Sequence, residues 1–485
     1  MKKSNSIYVI SFFEGAAVMA TELCGSKLIS PYFGSSLYVW ASVIAITLGS
    51  LAAGYFYGGK LSLKENRTKI LATILLVSAA YMGFMPIITN AFASIALSAS
   101  LVTAVVMASV LLLVLPMFLM GAASPIIIAI QTENSNESGR VSGLVYSIST
   151  VGGIISTFLC GFFLIPMFGV NTTLIVFALL LASSLILLSQ KKNNFNVVIV
   201  LVALLVLGFT SKTPLKNCIY EVDGMLGKIN VLDDTIEING DGMTSTRKLL
   251  VNNIVQTEMD MRTGNSLSGY VNLLDFNIDT VESGNALVLG LGGGVTSNLL
   301  VRKGFKVTGV ELDERIIDVA KNYFNLNESV SSVYDDGRHF INQCNETYNL
   351  ILIDIFKAEE QPSHVLTMES LEKIKKMMSP NASLIINWHG YLEGERGIGT
   401  SILLNTLKKS DFNYKIAATS DKEDERNLVF FASLSEPIVK KFEVKPQVKP
   451  TDLVNSDGRP VLERYNALAN QSWRKNYILY YYSGH

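Results

Sequence analysis

Glu311 and Asp354 each close an apolar run of the sequence, VTGVE and LILID. Acids at the carboxyl ends of successive strands converge on the crevice where open α/β sheets bind their ligands. Ahead of both stands Gly290-Leu291-Gly292-Gly293-Gly294, directly after the run ALVL. Glycine is required where a chain turns sharply and where a ligand must lie against bare backbone, so Gly290, Gly292 and Gly294 are expected contacts. Glu311 follows Gly290 by twenty-one residues, the spacing at which an acid accepts hydrogen bonds from ribose hydroxyls. Asp336-Gly337, after Val333-Tyr334-Asp335, brings a third acid to the same edge. The chemistry these residues suit is nucleoside binding. The competing readings are a turn residue for Asp336 and a helix cap for Asp354.

The elements that must position them follow from periodicity. Strands are expected at 286–289, 306–311, 350–353 and 383–387, with helices near 296–303, 314–323 and 367–378. That alternation is a parallel α/β sheet of the methyltransferase-type Rossmann kind, not a dinucleotide dehydrogenase. Residues 218–260 read as short alternating runs with Gly and Asp turns, a small β subdomain. Lys440–Pro450 (KKFEVKPQVKP) reads as a linker to a closing segment that ends in Tyr480–Tyr482.

The first 210 residues have a different composition. They hold ten of the 40 Lys and Arg residues and five of the 41 acids, leaving thirty and thirty-six for 211–485. The second part is mildly acidic, and nothing in it suggests the basic face a nucleic-acid partner would need. Apolar stretches near 7–30, 38–58, 69–90, 98–130, 142–168, 171–189 and 195–210 are expected to cross a lipid bilayer, with Pro116 and Pro125 kinking the fourth. Gly54-x-x-x-Gly58 offers a close-packing face or is merely tolerated in a membrane helix. Glu14 and Glu22 fall on similar faces of the first span, where a carboxylate suggests function by default; an interfacial Glu22, or one paired with Lys27, is the plainer reading. The four cysteines are scattered, with no metal or disulfide spacing. Three domains result: 1–210 transmembrane, 211–280 small β, and 281–485 Rossmann-like.

At this point the chain resembles the spermidine synthase family, specifically its membrane-fused branch with an MFS-like amino-terminal half. The resemblance rests on KLISPYFGSSLYVW, GYFYGGKLSLKENR and RVSGLVYSISTVGGIISTFLCGFFLIPMFG in the membrane part. In the soluble part it rests on LLVNNIVQ (249–256), similar to the family's L-x-x-D-G-x-x-Q, then the glycine loop, VELDERIIDVAKNYF, DDGRHF, IDIFKAEEQPSHVLT and LIINWHG. It implies that Glu311 binds ribose, Asp336 the adenine amino group, and Gln256 the tail of a thio-nucleoside. Asp354 would be the carboxylate beside an acceptor amine, and Tyr270 matches the family's tyrosine near that acceptor. The donor would be decarboxylated S-adenosylmethionine or S-adenosylmethionine itself, with no metal. A homodimer of soluble domains is also implied.

Two positions depart from the family. Gly293 stands where GGGDGG has the Asp that holds the donor's amino group, and Asp354-Ile-Phe-Lys357 replaces D-S-S-D, putting a cation where a second acid would meet a polyamine. Aminopropyl transfer, methyl transfer, and binding without turnover in a transport or sensor protein therefore all remain open. His364, ten residues past Asp354, is either a substrate contact or a solvated loop residue. His389 offers the same choice, and Trp388 is expected to pack. Seven spans from a cytoplasmic amino terminus (Lys2, Lys3) would place the soluble part outside, in line with basic loops at 60–69 and 191–192. Adenosyl sulfonium donors are made inside, and their supply favours a cytoplasmic catalytic domain.

Overall fold

The computed structural model describes residues 3–33, 37–96, 101–132, 134–188, 195–210, 216–224, 226–237, 243–356, 361–470 and 472. Lys2, Lys191, Lys192, Lys357 and Tyr480–Tyr482 lie outside the described residues. The chain divides into two compact units, 1–215 with 222–227, and 216–221 with 228–485.

The first unit is helical: α1 Lys3–Phe33, α2 Leu37–Leu61, α3 Arg67–Ala96, α4 Leu101–Gln131, α5 Ser138–Leu159, α6 Ile165–Ser184 and α7 Phe195–Thr210. Among the described residues, five stretches are long and apolar enough to cross a membrane: Ser6–Phe33, Val39–Leu61, Arg67–Phe92, Thr103–Gln131 and Ser138–Leu187. The last has 50 residues, more than twice the ~20 a single crossing needs. Gly169, at φ 80° and ψ 170°, interrupts its helical path between the two spans expected there. Val197–Val206 in α7 is a shorter apolar helix. The seven expected spans thus correspond to five long stretches, the fifth divided at Gly169, and one short helix. α4 continues through both Pro116 and Pro125.

Close packing within this unit runs through glycine. A Cβ on Gly54 would collide with the Phe118 carbonyl oxygen and one on Gly58 with that of Ala122, while one on Gly121 would stand 2.8 Å from the Leu51 oxygen. The Gly54-x-x-x-Gly58 face is therefore the surface on which α2 and α4 touch backbone to backbone. Gly58→Leu is expected to destabilise the unit by about 2 kcal/mol or more through overpacking, read as a lower thermal midpoint in detergent. Gly49→Leu, where a Cβ meets open space, serves as the control that leaves the midpoint unchanged. On α1, Glu14 is buried and accepts a hydrogen bond from Ser149 Oγ of α5 at 3.1 Å. Glu22 is only partly covered, so the two carboxylates meet different surroundings.

The second unit holds two main sheets. β1 Cys218–Val222, β2 Ile229–Glu237, β3 Met243–Val251 and β4 Ile254–Asp260 form a four-stranded sheet in that order. Asn252 and Asn253, both at positive φ, make the tight turn between β3 and β4. After α8 (Gly269–Asn277) come β5 Asn285–Leu289, α9 Val295–Arg302, β6 Lys306–Glu311, α10 Glu314–Tyr323, β7 Ser331–Tyr334, α11 Gly337–Gln343, β8 Tyr348–Ile353, α12 Met368–Lys376 and β9 Met378–Trp388. β10 (Glu393–Gly394), α13 (Ile398–Lys409), β11 (Asn413–Ala418), β12 (Leu428–Ser433), β13 (Glu443–Val444), β14 (Gln447–Val448) and α14 (Leu462–Tyr465) complete it.

The large sheet has the order β13-β11-β12-β9-β8-β5-β6-β7. β7, β6, β5, β8 and β9 are parallel, and β12 enters antiparallel between β9 and β11. Runs such as Ala286–Leu289 and Leu350–Ile353 are wholly buried, because helices cover both faces of a parallel sheet. The strand order reverses between β5 and β8, and such a switch point opens a crevice at the carboxyl ends of the strands. The 440–450 segment is not a free linker. Glu443–Val444 (β13) pairs with β11, and Gln447–Val448 (β14) pairs with β10.

Candidate active site

The glycine loop follows β5 and turns into α9. Gly290, Gly292 and Gly294 all have positive φ, at 95°, 54° and 74°. A Cβ on Gly290 would sit on the Asp354 carbonyl oxygen, and one on Gly294 would strike Leu326. These two glycines are fixed by backbone geometry as much as by any ligand. Glu311 ends β6, and its Oε2 accepts from the Leu291 and Gly292 amides at 3.2 and 3.3 Å while Oε1 accepts from Asp313 N at 3.1 Å. Its side chain is partly open, but the carboxyl lies deep, and burial pushes it up to about 7 against the pull of those amides. Leu312, the next residue, is an exposed apolar side chain beside the acid.

That burial sets a pH dependence. Below about 7 Glu311 is neutral and a weaker acceptor; above it the carboxylate takes ribose hydroxyls in charge-assisted bonds. Affinity for an adenosyl nucleoside is expected to rise about tenfold between pH 6 and pH 8, measured calorimetrically. Glu311→Gln should weaken binding and flatten the profile.

Asp354 stands just past β8. Tyr270 of α8 donates to its Oδ2 at 2.7 Å, and Asn387 Nδ2, near the end of β9, donates to Oδ1 at 2.8 Å. Burial raises the Asp354 carboxyl above its usual range, and the two donors oppose that rise. Among the described residues Asp354 caps no helix. It is a deep carboxylate with one directed donor on each oxygen. Asn387 Oδ1 in turn accepts from Asn427 Nδ2 at 3.0 Å, and the same Nδ2 lies 2.8 Å from His389 Nε2. Gln361 donates to the Asn387 carbonyl oxygen. Asn387, Asn427 and Gln361 were missed by sequence reasoning. The one available signal was a polar residue at the end of the apolar run LIIN.

The other expected residues divide. Asp336 caps α11, its Oδ1 accepting from the Arg338 and His339 amides at 2.9 and 3.0 Å. The turn role is thus real, and it leaves Oδ2 for a second partner. His364 Nε2 stands 3.9 Å from that Oδ2, with both side chains substantially exposed. The His364 ring thus lies toward Asp336. Gly337 is buried, and a Cβ there would press on Ile355. Gln256 sits at an irregularity of β4: Thr257 pairs with Leu249 and Val255 with Leu250, leaving Gln256 as the extra residue. A bulge re-aims a side chain and is common beside active sites. Its neighbour Thr257 accepts from the Gly293 amide at 2.9 Å and so ties the small sheet to the glycine loop. His389 is buried, its ring tilted 31° against that of Phe356 with centroids 4.5 Å apart, and Trp388 is a packed residue that donates to Thr400.

Strand order, glycine loop and the acid ending β6 are those of a Rossmann-like α/β unit of methyltransferase type. Residues 277–415 match the Spermine/spermidine synthase domain family, so the carboxy-terminal region carries that domain. The chain is similar to the N-terminal histidine N-methyltransferase of Emericella nidulans, 27% identical over 160 residues, covering 31% of this chain and 28% of that protein. It is also similar to a probable polyamine aminopropyl transferase of Bifidobacterium longum, 24% identical over 153 residues, covering 31% and 34%. The chain thus spans about a third of the length of these curated relatives. Among solved structures it is similar to a probable spermidine synthase from Corynebacterium glutamicum, at 16% identity and a TM-score of 0.40, covering 47% of this chain and 82% of that one.

Proposed function

We propose that this protein is a membrane-bound transferase that moves an aminopropyl or related alkyl group from an adenosyl sulfonium donor to an amine. The observation that carries the reading is Asp354, held by Tyr270 and Asn387 across the switch-point crevice from Glu311 and the glycine loop. A sulfonium brings its own leaving group, so transfer depends on alignment. The amine nitrogen bonds to the carbon beside sulfur, the C–S bond breaks, a neutral thio-nucleoside departs, and Asp354 takes the nitrogen's proton. The donor would lie with its ribose on Glu311, its adenine at Asp336 and its tail toward Gln256. Decarboxylated S-adenosylmethionine is the donor favoured by the domain match.

The outward faces of the helical unit support lipid contact. Leu48, Phe56, Phe162 and Met167 are each more than 60% exposed, which suits hydrocarbon and not water. Donor supply places the second unit in the cytoplasm, and the family likeness suggests a homodimer. Methyl transfer is the second reading, favoured by Gly293, which offers no acid to a donor amino group. A product assay on detergent-purified protein separates them, with pooled amines and polyamines and each donor supplied alone. Methylthioadenosine from the decarboxylated donor supports the proposal. S-adenosylhomocysteine assigns the protein to methyl transfer, and neither product, with donor bound, favours binding without turnover.

A further inference from the structure

We propose that Asn387 and Asn427 are positioning residues, a two-amide chain running from the His389 ring that delivers a directed hydrogen bond to Asp354 and keeps its carboxylate charged in one orientation. The inference rests on the reading of Asp354 as the acceptor carboxylate. Direction is what the geometry supplies. Asn387 gives an N–H to Asp354 Oδ1, which leaves its own carbonyl oxygen for Asn427. Asn427 spends its amide nitrogen on that oxygen and on His389 Nε2, so the imidazole nitrogen must accept. The ring can do so only when neutral and protonated on Nδ1. Burial pushes His389 down to about 3, which holds it neutral at any working pH.

Reversing the chain would require a proton on Asp354, another on His389 Nε2, and both amides turned over. The chain therefore makes the charge of Asp354 answer to residues that never touch it. Its far end is anchored. Asn427 N donates to Thr419 Oγ1 at 2.9 Å, and Thr419 N returns a bond to the Asn427 carbonyl at 3.1 Å. Glu423 in the same loop accepts from Leu392 N at 2.6 Å, Arg396 at 2.8 Å and Arg426 at 3.2 Å. These bonds hold the 419–427 loop against the segment after β9. Among the described residues, the titratable groups bonded into the chain are Tyr270 from α8 and His389 after β9. Among the described residues, burial and the bonds from Asn387 and Tyr270 set the state of Asp354, and burial sets that of His389.

The test reads Asp354 directly, without a known acceptor. The full chain, labelled with ¹³C-aspartate, is titrated by infrared spectroscopy, and the protonated-carboxyl band lost in Asp354→Asn is assigned to Asp354. Asn387→Leu should move its midpoint up by about one pH unit. Asn427→Leu, which leaves Asn387 in contact, should move it the same way by a smaller amount. The double variant should match Asn387→Leu alone, because the two act through one chain. Asn427→Ala replaces the leucine variant if thermal unfolding shows that leucine does not fit. Midpoints that stay at the wild-type value in the Asn427 variants, or effects that simply add, overturn the proposal. Turnover distinguishes the two levels of failure. An active Asp354→Asn removes the assigned role of Asp354, whereas an inactive Asp354→Asn with unmoved midpoints removes only the amide chain.

Discussion

Asp354→Asn is expected to lower kcat at least a thousandfold (~10³) while the Kd for the donor stays within about twofold. The amide is close to isosteric, so the fold and the crevice shape persist. It cannot take a proton, and it presents an N–H to a site already furnished with two donors, Tyr270 and Asn387. One of those donors must turn away, so orientation is lost along with basicity. Single-turnover kinetics beside calorimetric donor binding would check it. Turnover near the wild-type rate would show that another group handles the acceptor proton.

Gly290→Ala is expected to destabilise the second unit by about 3 kcal/mol or more, a fall of roughly 6 °C or more in its thermal midpoint. Two costs combine. A φ of 95° lies outside what an alanine adopts comfortably, and its Cβ would be forced onto the Asp354 carbonyl oxygen. The two backbones are tied there, with Asp354 N donating to the Leu289 carbonyl at 2.8 Å. Relief therefore requires moving the backbone of Asp354, and activity should fall even in the fraction that folds. Gly292→Ala is the informative comparison. Its φ of 54° is the left-handed region, and its Cβ would meet Thr257 Oγ1 at 3.0 Å. Its cost should be about 1 kcal/mol. Equal losses in the two variants would show that the Asp354 contact is not what constrains the loop.

Local patterns were legible where one chemical rule acts on a short stretch. Glu311 ends its strand where the apolar run stops, and α10 spans Glu314–Tyr323, with Asp313 as its cap accepting from Arg315 N at 3.1 Å. Gly54 and Gly58 were readable as a packing face, but not the partner, since nothing in α2 names Phe118 or Ala122 of α4. The 440–450 segment misled for a similar reason. Its lysines and prolines resemble a linker, and two-residue edge strands draw their definition from the strands they pair with.

The sequence by itself determined the glycine loop, the acids at the strand ends and the alternation that builds the parallel sheet, because each is set by neighbours within a few residues. Only the tertiary structure decided which groups surround Asp354. Tyr270 lies 84 residues before it and Asn387 33 residues after it, while Asn427 closes the loop that leads into β12, the antiparallel strand beside β9. Hydrogen bonds between side chains so far apart leave no periodic mark on the sequence. They exist because the strand order carries those residues to one edge, where a buried carboxylate requires donors.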